Sequence, residues 1–300
     1  MKRQQPSSGG AAVWIDGRVV EERDAHIPVK DHGFLYGDGI FEGIRIRARR
    51  VFRLDDHLDR FEFAARAIAL DLPEGREALR EIVLTTARSF GAAEAYVRLI
   101  ATRGVGELGV DPTTCPLPRI VCLVDQLSIF AAEKLSSGIE LITASMRRPP
   151  PDVLDPRVKS LNYLNNALAK LEARQRGADD ALLLNTAGNI AEASVANIFV
   201  LRRGELLTPP GSDGALEGIT RATVLELAAE LGIRAREETL GRFDVFAAEE
   251  TFLTGSGAGI VPVRSLDGRP IGDPAARGSR VSDIVSTALV ERAESLGTPF

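Results

Sequence analysis

Lys159 stands in the stretch DPRVKSLNYLNN, residues 155–166, between a proline-bounded segment and an apolar helical run. A lysine amine attacks carbonyls only when neutral, so it needs a partly desolvated setting, which Val158, Leu161 and Leu164 would supply. The same lysine also reads as a solvated residue beside a helix cap. Glu192 lies in NIAEAS. If buried, its carboxylate needs a cationic partner, and a pyridinium nitrogen is one; on an exposed strand it needs none. Ile219 and Thr220 open a helix after the turn 215–218. Free amides, a hydroxyl and the positive end of the helix dipole suit a phosphate there, although Thr220 equally reads as a simple cap. Gly255-Ser256-Gly257 offers a second set of closely approachable amides. Arg60, in one turn with His57, reads as a bidentate phosphate clamp or as a surface arginine. Taken together, these are an amine for a carbonyl, a carboxylate for a ring nitrogen and three phosphate-holding elements. Those are the requirements of pyridoxal 5′-phosphate, whose ring is an electron sink positioned by the protein.

The elements that would position these residues alternate without a regular βαβ cadence. Residues 13–21 read as a hairpin turning at Asp16-Gly17. A Gly-rich polar loop, 31–39, precedes a strand over 40–48, with Val51 and Phe52 on the return. Asp55 or Asp56 would cap a helix to about Leu70, with Leu58, Phe61, Ala65 and Ile68 as its apolar stripe. A second helix over 76–90 stops at Gly91. Residues 95–102 form a strand carrying Tyr96 and Arg98 alternately, and a Gly-rich loop follows. A buried strand spans 120–124. Strands are expected over 139–145, 181–184, 189–193, 197–201 and 251–254. Helices are expected over 161–175, with Leu161, Leu164, Leu168 and Leu171 at helical spacing, and over 218–231 and 281–293. The fold class is α+β, with two domains of mixed sheets: residues 1–126, a linker over 127–138, and a larger domain over 139–300.

Three hundred residues with 44% hydrophobic and 26% charged content describe a globular chain long enough for two domains. The net charge of −5 points to neither nucleic acid nor an anionic membrane as partner. Cys115 and Cys122 make no disulfide framework. The N-terminal MKRQQPSSGGAA lacks an apolar core, so it reads as a frayed tail rather than a signal peptide. No run approaches the roughly 20 apolar residues of a membrane span, and a cytoplasmic protein is expected. His26, His32 and His57 lack zinc-like spacing, so no metal is assigned.

The chain resembles the class IV, or fold-type IV, pyridoxal-phosphate aminotransferases, the branched-chain amino acid aminotransferases above all. The likeness runs from about Trp14 to Gly268. It rests on LYGDGIFEGIR, FRLDDHLDR, AYVRLIATRGVGELGVDP, VKSLNYLNNALAKLEA, GNIAEASVANIFV, LEGITRATVLELAAELGI and TFLTGSGAGIVPVRSLDG. The resemblance implies that Lys159 links to the cofactor and shuttles the proton between the amino acid Cα and the cofactor's C4′. It implies that Tyr163 hydrogen-bonds the phenolic oxygen and that Glu192 pairs with the ring nitrogen. Arg60, the Ile219 backbone, Thr220 and Ser256 hold the phosphate. Ser256, Gly257 and the Tyr96 hydroxyl receive the substrate α-carboxylate. Phe41, Tyr36 and Val110 line the side-chain pocket, the last two coming from the partner subunit of a homodimer. Arg98 takes the distal carboxylate of glutamate or 2-oxoglutarate. The cofactor is placed in the cleft between the domains.

The activity implied is transamination between branched-chain L-amino acids and 2-oxoglutarate. Relatives on the same scaffold act on D-amino acids or R-amines, or release pyruvate from aminodeoxychorismate. The pocket residues favour the first reading. Ser256-Gly257, where many members have Thr-Ala, leaves more room around the carboxylate. Outside this class, a phosphate-binding module without chemistry requires Lys159 to be incidental.

Overall fold

The structure, a computed structural model, describes residues 10–272 and 280–300. The expected N-terminal tail lies almost wholly outside them. The chain divides into two compact units: residues 1–127 with 159–162 and 293–300, and residues 128–158 with 163–292.

The first unit contains β1 (Ala12–Ile15), β2 (Arg18–Glu21), α1 (His32–Tyr36), β3 (Gly39–Arg47) and β4 (Arg50–Val51). It continues with α2 (Leu54–Ala67), α3 (Gly75–Phe90), β5 (Ala95–Thr102) and β6 (Arg119–Asp125). Its seven-stranded sheet runs from the C-terminal strand Thr298–Pro299 through β4, β3, β5, β6 and β1 to β2. Every pairing is antiparallel, so the mixed character expected of both sheets is absent from this one. The hairpin β1–β2 turns where expected, with Asp16 and Gly17 at φ +51° and +84°, as a two-residue turn of this hand requires. Helices α2 and α3 cover the sheet, burying Leu58, Phe61, Leu79 and Val83. α2 begins one residue before the expected caps. Its N-cap is Arg53, in the left-handed region and without a capping side chain. Asp55 and Asp56 lie inside the first turn and are engaged elsewhere: Asp56 accepts from Arg53 Nε at 2.8 Å and Asp55 from Arg80 Nη1 at 2.6 Å. Acidic residues there still favour the helix dipole.

The second unit contains α4 (Ala132–Ser137), β7 (Ile139–Arg147), α5 (Pro151–Leu154), α6 (Leu164–Gln175), β8 (Asp180–Leu184), β9 (Ile190–Ala193), β10 (Asn197–Arg202) and β11 (Glu205–Thr208). After these come α7 (Ile219–Glu230), β12 (Ala235–Glu237), α8 (Arg242–Phe246), β13 (Glu250–Gly255), β14 (Gly259–Leu266), β15 (Arg269–Pro270) and α9 (Val281–Leu296), whose residues from Ala293 on are counted with the first unit. The strand order is β12-β11-β10-β13-β14-β7-β8-β9, with β15 beside β14. This sheet is mixed: β11–β12, β14–β7 and β7–β8 are parallel. Stacked Phe199 and Phe252 rings, centroids 5.3 Å apart, lie in its core.

Some stretches differ from the sequence expectation. Residues 32–36, expected within a Gly-rich polar loop, form the helix α1, because the Asp31 side chain caps it by accepting from Gly33 N. Residues 128–138, expected as a linker, belong to the second unit; Phe130 is buried in its core and Lys134 Nζ pairs with Asp179 at 2.8 Å. α6 starts at Leu164 rather than Leu161, because residues 159–161 are held by β3. Its leucines at 164, 168 and 171, noted for their helical spacing, are exposed, and Asn166, Ala169 and Ala173 form the buried face.

Candidate active site

Lys159 belongs to the first unit, in a short segment laid along β3. Phe41 N donates to Lys159 O and Leu161 N to Gly39 O, both at 2.9 Å, and Ser160 bridges Ile40. The glycines at 37 and 39 permit this approach. A Cβ on Gly39 would fall 2.4 Å from Ala101 O and 2.7 Å from Leu161 Cδ1, and one on Gly37 2.7 Å from Asn162 Oδ1. Arg103 pins the intervening Asp38 through Nε and Nη2 at 2.9 and 3.0 Å. The lysine amine lies 4.5 Å from the Phe41 ring centroid. The apolar wall expected from Val158, Leu161 and Leu164 is therefore largely supplied by Phe41, since Leu164 is exposed.

The same ring carries Arg98, whose Cζ lies 4.5 Å from its centroid and 5.6 Å from that of Tyr96. Lys159, Phe41, Tyr96 and Arg98 are thus gathered on one part of the sheet. Gly43, opposite Arg98 in the ladder, makes room: a Cβ there would fall 1.7 Å from the Tyr96 hydroxyl. Arg60 lies on α2, next to a buried acid that the sequence reading did not single out. Glu42 accepts from Arg60 Nε at 2.7 Å and Nη2 at 2.8 Å, from His57 Nδ1 at 2.7 Å and from the Gly43 amide at 3.2 Å. Burial alone would raise the Glu42 carboxyl, but the charge of Arg60 and the hydrogen bonds from Arg60 and His57 hold it far below the usual carboxylate range. Burial lowers the His57 imidazole, keeping it neutral. A charged residue inside the apolar strand GIFEGIRI was the available signal for Glu42.

Tyr36 is linked to the loop that carries Val110. Gly109 N donates to the Tyr36 hydroxyl at 2.9 Å, and the Tyr36 ring meets His32 edge-on at 5.0 Å. His32 Nε2 donates to Glu107 O at 2.9 Å, so α1 holds the loop whose tips, Leu108 and Val110, are exposed.

In the second unit, Glu192 is buried on β9 and lies within 2.8 Å of Arg148 Nη2, each side chain only 6% exposed. Leu216 N donates to Glu192 Oε2 at 3.1 Å and Asn197 Nδ2 at 3.4 Å. The cationic partner expected for a buried Glu192 is thus present within the chain as Arg148. The loop RRPPPD gave no sign of it. Tyr163 is half-buried immediately before α6. α7 begins with Ile219 and Thr220 after an N-cap, Gly218, that has no side chain to accept the first-turn amides. A Cβ on Gly218 would fall 2.0 Å from Asn197 Oδ1. Ser256 and Gly257 form the turn between β13 and β14. Among the described residues there is no group of three or more His, Cys, Asp or Glu able to hold a metal ion.

The family described as amino-transferase class IV matches residues 39–266. The chain belongs to the class IV aminotransferases. A relative from Methanocaldococcus jannaschii is 46% identical over 259 residues, which are 86% of this chain and 89% of that one. The branched-chain-amino-acid aminotransferase of Pseudomonas aeruginosa is 35% identical over 265 residues, 87% of this chain and 86% of that one. The crystal structure of the branched-chain amino acid aminotransferase of T.th., complexed with N-(5′-phosphopyridoxyl)-L-glutamate, matches with a TM-score of 0.88 and 33% identity, covering 97% of this chain and 95% of that one. The α+β fold of this aminotransferase is that of those neighbours, and the residues present fit the cofactor. In the first unit an amine lies beside an aromatic ring, which suits an aldehyde; in the second a buried carboxylate and a helix start without a side-chain cap suit a ring nitrogen and a phosphate.

Proposed function

We propose that this chain is a pyridoxal 5′-phosphate-dependent transaminase that moves an amino group between branched-chain L-amino acids and 2-oxoglutarate. The observation that carries the substrate reading is Arg98 stacked on the Phe41 ring that also faces the Lys159 amine. An apolar ring accepts a branched aliphatic chain, and a guanidinium at its edge accepts a second carboxylate, so one pocket serves both substrates.

When bound, the cofactor supplies an electron sink conjugated to the substrate Cα. Lys159 anchors it and carries the proton at Nζ. Glu192 would pair with the ring nitrogen, and Tyr163 would hydrogen-bond the phenolic oxygen. Arg60, the Ile219 amide, Thr220 and Ser256 hold the phosphate. Tyr96, Ser256 and Gly257 receive the α-carboxylate of the substrate.

The proposal includes a homodimer in which Tyr36 of the partner subunit and Val110 of the partner subunit complete the apolar pocket beside Phe41. Its support is the exposure in one chain of Val110, Leu108 and the α6 leucines 164, 168 and 171. It also includes a cytoplasmic setting, which two free thiols, Cys115 and Cys122, suit. No helix among the described residues is long and apolar enough to cross a membrane.

The test is a donor panel with the reconstituted protein: L-leucine, L-valine, D-alanine and R-phenylethylamine, each against 2-oxoglutarate and pyruvate. Transfer from leucine to 2-oxoglutarate that Lys159→Ala abolishes is expected. Turnover of only the D- or R-donors, or pyruvate release from aminodeoxychorismate without an acceptor, sinks the reading.

A further inference from the structure

Arg148 follows β7 in a loop that reads as ordinary connection, yet it is buried and its guanidinium reaches three different elements. Nη2 meets Glu192 Oε1 on β9 at 2.8 Å. Nη1 donates to Asn166 Oδ1 on α6 at 2.9 Å. Nε donates to Gly214 O, in the loop before α7, at 3.3 Å. Its own amide donates to Leu184 O at the end of β8 at 2.8 Å. Asn166 continues the network, donating from Nδ2 to Ser194 O at 2.7 Å. Gly214, at φ +95°, lies close enough that a Cβ there would meet Arg148 Cγ at 3.2 Å.

We propose that Arg148 is the positioning residue of the cofactor-binding face, holding the Glu192 carboxylate aimed while tying it to the start of α6 and the approach to α7. The inference rests on the reading of Glu192 as partner of the ring nitrogen. The elements that converge on Arg148 each lead to a residue with a cofactor role: Glu192 itself, Tyr163 three residues before Asn166, and Ile219 five residues after Gly214. A guanidinium suits this place because its planar fork offers donors in several fixed directions, where an ammonium is a single point charge. A buried ion pair is seldom needed for stability alone, since well-packed apolar residues of similar volume often serve as well. What the pair supplies is a carboxylate held in one orientation out of water, which is what a ring nitrogen needs opposite it. Leu216 N and Asn197 Nδ2 fix the other oxygen, so the carboxylate plane is set from both sides.

The experiment compares wild-type holoenzyme with Arg148→Met, Arg148→Lys and Glu192→Gln. It reads the absorption spectrum of the bound cofactor across pH, the cofactor dissociation constant, and kcat separately from KM. A carboxylate that loses the guanidinium fixing one of its oxygens no longer keeps its place, so Arg148→Met should shift the spectrum toward that of Glu192→Gln. It should weaken cofactor retention about 10-fold or more, as loss of an outer partner of a ligand does, and lower kcat with little change in KM. Arg148→Lys, keeping the charge and losing the fork, should lie part-way between. The double variant should be no worse than either single one. Arg148→Met with a lowered Tm but a wild-type spectrum and kcat overturns the proposal. Should Arg148→Met not fold, Arg148→Lys decides: a partial shift supports the proposal and a wild-type spectrum overturns it. A spectroscopically silent Glu192→Gln removes the underlying reading of Glu192, and with it the inference. That result differs from a silent Arg148→Met beside an altered Glu192→Gln, which removes the inference alone.

Discussion

Arg60 and Glu42 form a two-pronged ion pair in the first unit, Nε to Oε1 at 2.7 Å and Nη2 to Oε2 at 2.8 Å, with the Glu42 side chain 1% exposed. The pair turns a long, mobile side chain into a fixed donor, at the cost of much of its net charge. In the proposed site, Arg60 would then hold a phosphate by direction more than by field. Glu42→Ala leaves a guanidinium with its counter-ion gone and should cost about 3–5 kcal/mol of stability. Glu42→Gln, which keeps the shape, should cost less and still weaken cofactor retention. Denaturation midpoints with equilibrium dialysis check both, and unchanged retention in Glu42→Gln would show that Arg60 needs no such orientation.

The same cluster predicts the acid limit of stability. Glu42 titrates below its unfolded value of about 4.3, so its contribution is complete above that pH and is lost as pH falls toward the folded value. His57 is also lowered, by burial, from about 6.5, so its contribution is likewise present above that value and declines below it. Stability should therefore start to fall near pH 6.5. His57→Asn, which retains a donor toward Glu42, should flatten the curve just below about pH 6.5 while leaving the steeper loss below about 4.3. Urea denaturation across this range decides, and an unchanged slope in His57→Asn would contradict the assignment.

Gly43 predicts a change in substrate handling at small structural cost. The Cβ of Gly43→Ala has nowhere to go but the space of the Tyr96 hydroxyl, 1.7 Å away. The tyrosine must swing, and its hydroxyl leaves the place proposed for the α-carboxylate. Loss of one charge-assisted hydrogen bond of about 1.5–3 kcal/mol corresponds to a fall in kcat/KM of roughly 10- to 100-fold for every amino acid tested. Equal kcat/KM in Gly43→Ala would remove Tyr96 from the carboxylate site.

Tyr36 predicts a loop effect. Its hydroxyl accepts from Gly109 N, so Tyr36→Phe releases the segment that presents Val110. A neutral hydrogen bond of about 1 kcal/mol implies a rise in KM of about 5-fold for leucine, with kcat nearly unchanged. Steady-state kinetics separate this from a chemical role, which would lower kcat.

The elements that depend on local pattern were legible in the sequence. The β1–β2 turn follows from Asp16-Gly17, the stop of α3 from Gly91, and the alternation of Tyr96 and Arg98 from the strand period. What was not legible depends on contacts distant in sequence. Nothing near Lys159 announces that residues 159–161 pair with β3 rather than begin α6. The leucines at 164, 168 and 171 have core spacing but lie exposed, because periodicity reports an apolar face and not what covers it. Arg148 escaped for a related reason. A buried ion pair has two halves far apart in the chain, and each half alone reads as surface charge.

Arg98 carries the prediction that separates the two substrates. Its guanidinium lies 4.5 Å from the Phe41 centroid, so truncation to alanine would confound lost charge with a loosened ring. Arg98→Met keeps a long apolar stem over the ring and removes only the charge. Leucine has no distal carboxylate, so its half-reaction should stay within about 3-fold of wild type, the scale of a small packing change. Glutamate and 2-oxoglutarate leave a carboxylate without its partner and should lose about 100-fold or more in kcat/KM. Single-turnover measurement of each half-reaction reads the two effects independently. A parallel loss for both amino acids would place Arg98 in the common machinery, and no loss for either would remove it from the site.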